Sequence, residues 1–223
     1  MATLLLRLSA PLQAWGTESS FDTRRTDSYP SKSGVIGMLA AALGRSRSDS
    51  VDDLNKLRFG VRVDDEGVLL RDYHTANGEK NKQYITNRYY RSDATYLVGL
   101  ESDDSSFLEA IRDALLSPAY PLYLGRRSCP PTMPLVKGLR EAGLADALEK
   151  EEWLLPEWKQ RRKMYTSEGR LRIIVDDVNG NMEVRDVAES FDIKNRRYGW
   201  RRIKEYGYVD KNHKTEHDPM KEL

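Results

Sequence analysis

The sequence is poor in cysteine and histidine: Cys129 and three His are all that occur among 223 residues. A single cysteine excludes an internal disulfide and a cysteine-based zinc cluster, and it is typical of a reducing compartment. No apolar run approaches the ~18–20 residues that cross a bilayer, and the first residues lack the pattern of a signal peptide. We therefore expect a cytoplasmic protein that needs no membrane, metal or cofactor.

Excess charge of one sign is also lacking, because 36 Lys and Arg face 35 Asp and Glu, for a net charge of +1. This balance argues against a uniformly basic surface for nucleic acid. Charged residues nevertheless make up 32% of the chain, which leaves room for local basic patches. The position of the positive charge along the sequence therefore decides which partners can be expected.

The apolar pattern of the first part predicts alternating strands and helices. The strands are predicted at residues 3–8, 59–63, 95–100 and 121–124. The helices are predicted at residues 35–43, between Ser31 as N-cap and Gly44 as C-terminal glycine, at 50–57, and at 105–116. Residues 11–32 have no sustained period and predict a long loop, of a kind that often carries function.

Two more strands, residues 69–75 and 84–91, flank the turn signal Asn77-Gly78 and predict a β-ribbon. The resulting order is β-α-β-β-α-β with the ribbon inserted. It predicts an α+β fold, a ferredoxin-like (RRM-like) sandwich with a four-stranded antiparallel sheet and two helices on one face.

The prolines that follow Cys129 predict a boundary that divides the chain into residues 1–130 and 131–223. The second part is expected to be smaller and strand-rich. It is predicted to contain a helix at residues 135–150, strands at 171–175 and 182–187 paired across Asn179-Gly180, another strand at 198–208, and a polar tail from Asp210.

Positive charge is concentrated in the ribbon together with aromatic residues, a composition typical of nucleic-acid binding. The cations are Arg71, Lys80, Lys82, Arg88 and Arg91. The residues available for stacking are Tyr73, His74, Tyr84, Tyr89 and Tyr90. A second segment, residues 194–208, has the same character. Each segment is also compatible with an ordinary solvated face, and it is their joint occurrence in a neutral chain that favours RNA.

Two short motifs could hold phosphate groups. Gly125-Arg126-Arg127-Ser128 is a glycine turn that presents two guanidiniums and a hydroxyl, which suits bidentate contacts. The amides at Ser33-Gly34-Val35 begin a helix beside Lys32, and a helix start can bind an anion. A plain surface turn and an ordinary helix start remain the alternatives.

Familiar catalytic motifs are missing, including the Walker loop, GxSxG and HExxH. Residues 94–100 lack the RNP motif of an RRM, so base stacking on the open sheet is not expected. His74 is the only histidine outside the polar tail, and a lone histidine in a tyrosine-rich strand is more often structural or a stacking contact than an acid–base catalyst.

Four blocks of sequence closely resemble the CasD family, which belongs to the RAMP superfamily and supplies a subunit of the type I-E CRISPR complex Cascade. They are LRLSAPLQAWG at 6–16, Arg24 with PSKSG at 30–34, LRDYHT at 70–75, and YLGRRSCP at 123–130. The resemblance implies a ferredoxin-like palm, a ribbon that acts as a protruding thumb, and a reduced C-terminal part.

The resemblance also implies a non-catalytic subunit that binds the five-prime, repeat-derived handle of the crRNA in antiviral defence. Its partners would be the backbone subunit and the large PAM-reading subunit of a hetero-oligomeric ribonucleoprotein. The handle contacts implied are Arg24, Lys32 and Ser33 on one side and Gly125, Arg126 and Arg127 on the other.

Two other functions stay open from the sequence alone. Relatives in type I-C systems cut repeat RNA without a metal through Tyr, Lys and His, which Tyr84, Lys80 or Lys82, and His74 could imitate. A protein–protein scaffold, with basic faces that meet acidic partners, is the other alternative.

Overall fold

The computed structural model describes residues 1–16, 19–20, 23–77, 83–167 and 170–209. These residues form a mixed α+β structure. The strands are β1 (Ala2–Ser9), β2 (Leu12–Gln13), β3 (Ser19–Ser20), β4 (Thr23–Arg24), β5 (Arg58–Asp65), β6 (Val68–Asn77), β7 (Gln83–Ser92), β8 (Thr95–Ser102), β9 (Val136–Arg140), β10 (Arg170–Asp176), β11 (Met182–Ser190) and β12 (Arg197–Val209). The helices are α1 (Lys32–Ala42), α2 (Asp52–Asn55), α3 (Ser105–Leu116), α4 (Leu144–Lys150) and α5 (Glu157–Ser167).

Seven strands form the main sheet in the order β11-β12-β10-β5-β8-β1-β9, and every neighbouring pair is antiparallel. Leu4 and Leu6 of β1 pack in the larger core with α1 and α3, whereas Leu5 packs in a smaller core with α4. Helices α1 and α3 therefore share one face of the sheet, and α4 covers the other face, which the prediction of two helices on one face did not include. This two-sided burial explains why residues 3–8 form a continuous apolar run.

The local signals around α1 are confirmed. The Ser31 side chain accepts a hydrogen bond from the amide of Gly34, as an N-cap should, and Gly44 follows the helix with φ +76°. The helix predicted at residues 105–116 coincides with α3, whose N-cap is Asp104.

The ribbon strands β6 and β7 pair from Val68 opposite Ser92 to Asn77 opposite Gln83. The predicted pairing of residues 69–75 with 84–91 is therefore confirmed. Asn77 of the predicted turn ends β6, and residues 78–82, which begin with Gly78 of that turn, precede β7. Those residues, which include Lys80 and Lys82, lie outside the described residues, as does the tail from Asp210. On its other side β7 pairs with β2 and β4, so parts of the predicted long loop join the same sheet.

Two predicted elements between residues 121 and 150 are wrong. Residues 121–124 have no regular secondary structure and form no strand; the amide of Leu124 donates to the carbonyl of Cys129, and its carbonyl accepts from the amide of Ala14. The helix predicted at 135–150 is divided into β9 and α4. The four-residue spacing of Leu135 and Leu139 is typical of a helix. The backbone amides and carbonyls along the free edge of β1 need hydrogen-bond partners, however, and β9 supplies them.

The predicted pairing of residues 171–175 with 182–187 is also wrong, because β12 lies between β10 and β11. Strands β10, β11 and β12 join the main sheet through the pairing of β10 with β5. Strand β9 joins the same sheet by pairing with β1. The predicted boundary at residue 130 therefore does not separate two sheets, since strands from both sides of it are hydrogen-bonded together. Helix α5 was not predicted.

Candidate functional site

A cleft of about 760 Å³ lies where α1, the segment after β2, the turn at Gly125 and the β11–β12 connection meet. Five residues predicted from the sequence line it: Arg24, Ser33, Gly34, Gly125 and Arg126. The sequence separates Arg24 from Arg126 by 102 residues, but Arg126 Nη2 donates a hydrogen bond to the carbonyl oxygen of Arg24 at 2.9 Å. The fold thus brings the two blocks implied by the family resemblance into one site.

The charge of this cleft is one-sided. The arginines that line it are Arg24, Arg25, Arg45, Arg47, Arg126 and Arg196, and no Asp or Glu is among its described lining residues. Arg45 already has an internal partner, because both carboxylate oxygens of Asp53 accept from it at 2.6 and 2.5 Å. This hydrogen-bonding holds the pKa of Asp53 below its usual range. Five arginines remain without a carboxylate partner among the described residues, so the cleft favours anions.

Gly125 determines the shape of the turn that carries Arg126. Its φ is +83°, and an added Cβ would lie 1.6 Å from the carbonyl oxygen of Ala14. Only glycine fits such a left-handed conformation and close approach. The turn predicted from the sequence is therefore present, and its backbone packs directly on the segment that follows β2.

Arg126 is held in a fixed orientation. Its guanidinium lies 4.5 Å from the ring centroid of Tyr90, and its Nη1 is buried without a hydrogen-bond partner among the described residues. Arg127 and Ser128, the next two predicted residues, are exposed on the same turn but do not line the cleft. Burial raises the pKa of the neighbouring Cys129 thiol, which disfavours its thiolate form.

The start of α1 forms part of the cleft wall through Ser33 and Gly34. A Cβ on Gly34 would lie 3.0 Å from the buried ring of Trp15, so this glycine allows the helix to approach the ring closely. Lys32 behaves differently from the prediction. Its side chain is buried, and its ammonium group donates to Asp176 Oδ2 at 3.0 Å and to the carbonyl of Leu57 at 2.8 Å. The charge of Lys32 is therefore already paired inside the protein.

Aromatic side chains also line the cleft: Tyr120, Tyr123, Phe191 and Tyr198. Tyr120 is 52% exposed, which leaves its ring accessible for stacking. Arg196 and Tyr198 come from the basic C-terminal segment noted in the sequence. The sequence analysis did not identify four of the lining residues: Arg25, Arg45, Arg47 and Tyr120. The local signals available were the position of Arg25 next to Arg24 and the occurrence of two arginines shortly after Gly44.

The ribbon residues divide between two faces. Cross-strand partners share a face, so the register places His74 and Arg88 on the same face as Tyr90, and Arg71 and Tyr73 on the opposite one. Arg71, Tyr73 and His74 are exposed, and Arg88 is half-buried, with no hydrogen-bond partner for its Nε within the described ranges. The Tyr90 face is the one on which Arg126 stacks, so Arg88 and His74 extend the cleft side of the ribbon.

Within the described parts of the chain, no three His, Cys, Asp or Glu side chains are grouped as a metal site requires. None of the described helices has the length and apolar character needed to cross a membrane.

Comparison with known proteins identifies the family. The model of the family described as CRISPR-associated protein (Cas_Cas5) matches residues 3–204. The chain belongs to the Cas5 family. The CRISPR system Cascade subunit CasD of Escherichia coli (strain K12) is 39% identical to this Cas5 chain in an alignment of 160 residues, and the match covers 62% of this chain and 71% of that protein. The resemblance noted in the sequence is confirmed.

Solved structures agree with this family assignment. A chain described as a CRISPR RNA-guided surveillance complex is 33% identical, with a TM-score of 0.78, and the match covers 94% of this Cas5 chain and 92% of that chain. A second, described as the crystal structure of a Cas protein, is 42% identical, with a TM-score of 0.71, and the match covers 93% of this chain and 95% of that chain.

Proposed function

We propose that this Cas5-family chain is a non-catalytic RNA-binding subunit of a CRISPR Cascade assembly, and that its cleft binds the five-prime handle of the crRNA. The single observation that carries the proposal is the set of arginines around a cleft whose described lining residues include no carboxylate. Neutralising phosphates releases counterions and supplies affinity, and unstacked bases of single-stranded RNA can stack on the exposed rings.

The relatives support the choice of RNA. The E. coli relative is a subunit of Cascade, and one structural relative belongs to an RNA-guided surveillance complex. We infer that this chain occupies a similar place in a hetero-oligomeric complex. Its partners there would be the backbone subunit and the large PAM-reading subunit.

The strand order supports a ferredoxin-like palm. Taken in chain order, β1, β5, β8 and β9 are the first to fourth strands of a β-α-β-β-α-β unit with α1 and α3, and they lie in the order 4-1-3-2. We propose that this unit is the palm and that β6 and β7 form the thumb. Leu69, Tyr73 and Ile85 are exposed on one face of this ribbon, which suits a surface that meets a neighbouring subunit.

The proposal excludes RNA cleavage by this chain. His74 is exposed on β6, and the register places it opposite Thr86, with Tyr84 on the same face of the neighbouring strand. The competing metal-independent endoribonuclease would need His74 and Tyr84 to act with Lys80 or Lys82. Incubation of purified chain with repeat RNA in EDTA tests this alternative directly.

The main test measures equilibrium binding of the full chain to a labelled handle RNA and to a shuffled RNA of equal length. We expect tighter binding to the handle, and a loss of about 2–4 kcal/mol in the Arg24→Ala/Arg126→Ala double variant if each arginine makes a charge-assisted contact. The matched control is Arg112→Ala, on α3 and not among the cleft-lining residues. Equal affinity of the double variant and the unmodified chain would overturn the proposal.

A further inference from the structure

Four charged side chains are buried together where α1 meets the C-terminal strands. Lys32 and Arg201 are each 7% exposed, Asp186 is 1% exposed, and Asp176 is 17% exposed. Two cations and two anions balance, so the cluster carries no net charge. Buried charges persist only when they are paired and hydrogen-bonded, as they are here.

Asp186 of β11 lies at the N-terminus of α1. Its Oδ2 accepts from the backbone amide of Lys32 at 2.7 Å and from Arg201 Nη2 at 2.9 Å, while Oδ1 accepts from Arg201 Nε at 2.6 Å. The positive end of a helix favours an anion. In this protein the anion at the start of α1 is an internal carboxylate, at the place where the sequence suggested an external phosphate.

Asp176 completes the cluster from β10. Its Oδ1 accepts from Arg201 Nη1 at 2.6 Å, and its Oδ2 accepts from the ammonium of Lys32 at 3.0 Å and from the amide of Phe59 at 2.9 Å. The guanidinium of Arg201 thus bridges the carboxylates of both strands that flank β12. A planar, five-donor guanidinium can make this bridge, and an ammonium group cannot reproduce it.

The cluster connects two walls of the cleft. One wall is the first turn of α1, with Ser33 and Gly34. The other is the connection that follows β11, with Phe191, Arg196 and Tyr198. Asp186 bonds the first wall directly to the strand that leads into the second, so the relative position of the walls depends on these bonds.

We propose that Asp186 and Arg201 are positioning residues for the RNA cleft, and that Lys32 contributes to this internal cluster and makes no RNA contact. The proposal rests on the proposed function of the cleft. It deepens that function by assigning control of the cleft geometry to two residues that do not touch the ligand.

The test compares two buried carboxylates, one in the cluster and one outside it. Asp186→Asn removes the charge at the helix start. Asp64→Asn is the matched control, because Asp64 pairs with Arg62, both are fully buried, and neither lines the cleft. We expect both variants to lower Tm, but only Asp186→Asn to weaken handle-RNA binding, by about tenfold, as coupled buried networks allow.

A readout that needs no RNA is backbone amide hydrogen exchange. Asp186→Asn should accelerate exchange at residues 32–35 by about tenfold or more, and Asp64→Asn should leave it unchanged. Failure of the unmodified chain to bind handle RNA would defeat the proposed function, whereas this exchange pattern would still test the positioning role. Unchanged exchange and unchanged affinity in Asp186→Asn would overturn the positioning role.

Two further variants complete the design. If Asp186→Asn does not fold, Arg201→Lys keeps the charge but loses the bridge, and the same changes are expected with smaller size. Lys32→Gln should leave the salt dependence of RNA binding unchanged. If the slope of log K against log salt concentration fell in magnitude by about 0.7, the value for one lost phosphate contact on a single strand, Lys32 would bind RNA. That result would contradict its assignment to the internal cluster.

Discussion

The guanidinium of Arg126 stacks on Tyr90, with its central carbon 4.5 Å from the ring centroid. Tyr90 belongs to β7 at the root of the ribbon, and the same guanidinium bonds the carbonyl of Arg24 in β4. One side chain therefore connects the Gly125 turn, the ribbon and the segment before α1. The geometry of the cleft depends on this contact as well as on the charge of Arg126.

Arg126→Lys separates geometry from charge. Lysine keeps the positive charge but loses the planar fork and most of the stacking. We expect handle-RNA affinity to fall by about 1 kcal/mol in the lysine variant and by about 1–3 kcal/mol in Arg126→Ala. Fluorescence anisotropy measures both, with Arg112→Lys as control. Lysine binding as tightly as arginine would show that only the charge matters.

Gly125→Ala tests the turn itself. The new Cβ would collide with the Ala14 carbonyl at a left-handed φ, so we expect the free energy of unfolding to fall by about 2–4 kcal/mol, and RNA affinity to fall with it. Gly207→Ala is the control, because an added Cβ there has no neighbour within 4 Å. Urea unfolding measures the free energy of unfolding of both variants. Equal values for the two would show that alanine at position 125 causes no backbone strain or collision with the Ala14 carbonyl.

The sequence predicted those features of the site that depend on neighbouring residues. Ser31 and Gly44 at the ends of α1 act within one helical turn, and the Gly125 turn is a four-residue motif, so both were found. The burial of Lys32 could not be predicted, because Asp176 and Asp186, which accept from its ammonium group and its amide, are 144 and 154 residues away. The same applies to β12, whose position between β10 and β11 depends on pairing that no local pattern encodes.

Arg62 and Asp64 form a buried pair that should control stability without affecting RNA binding. Arg62 donates to both oxygens of Asp64 and to the carbonyls of Leu148, Glu151 and Glu152. Arg62→Met would take away the guanidinium that pairs with the buried Asp64 carboxylate, and we expect the free energy of unfolding to fall by about 3–5 kcal/mol.

The double variant Arg62→Met/Asp64→Leu provides the control for that prediction. It removes both charges, so it should recover part of the lost stability. Denaturant unfolding compares the single and double variants. A double variant less stable than Arg62→Met would contradict the account of an uncompensated charge.

His74→Ala tests the absence of catalysis. If the chain only binds RNA, a complex assembled with its processing nuclease should contain the same amount of mature crRNA with the same ends, whether residue 74 is His or Ala. Sequencing of the bound RNA measures both quantities. Cleavage of repeat RNA by the purified chain in EDTA, lost in the alanine variant, would favour the endoribonuclease instead.

The salt dependence of RNA binding tests the central claim most directly. Five cleft arginines have no carboxylate partner in the part of the chain that the structure describes, and they predict a plot of log K against log salt concentration with a slope of about −3.5, at 0.7 for each neutralised phosphate of a single strand. The Arg24→Ala/Arg126→Ala variant should reduce that slope by about 1.4, whereas Arg112→Ala should not change it. A slope near zero, or one that the double variant leaves unchanged, would contradict the assignment of this cleft to RNA.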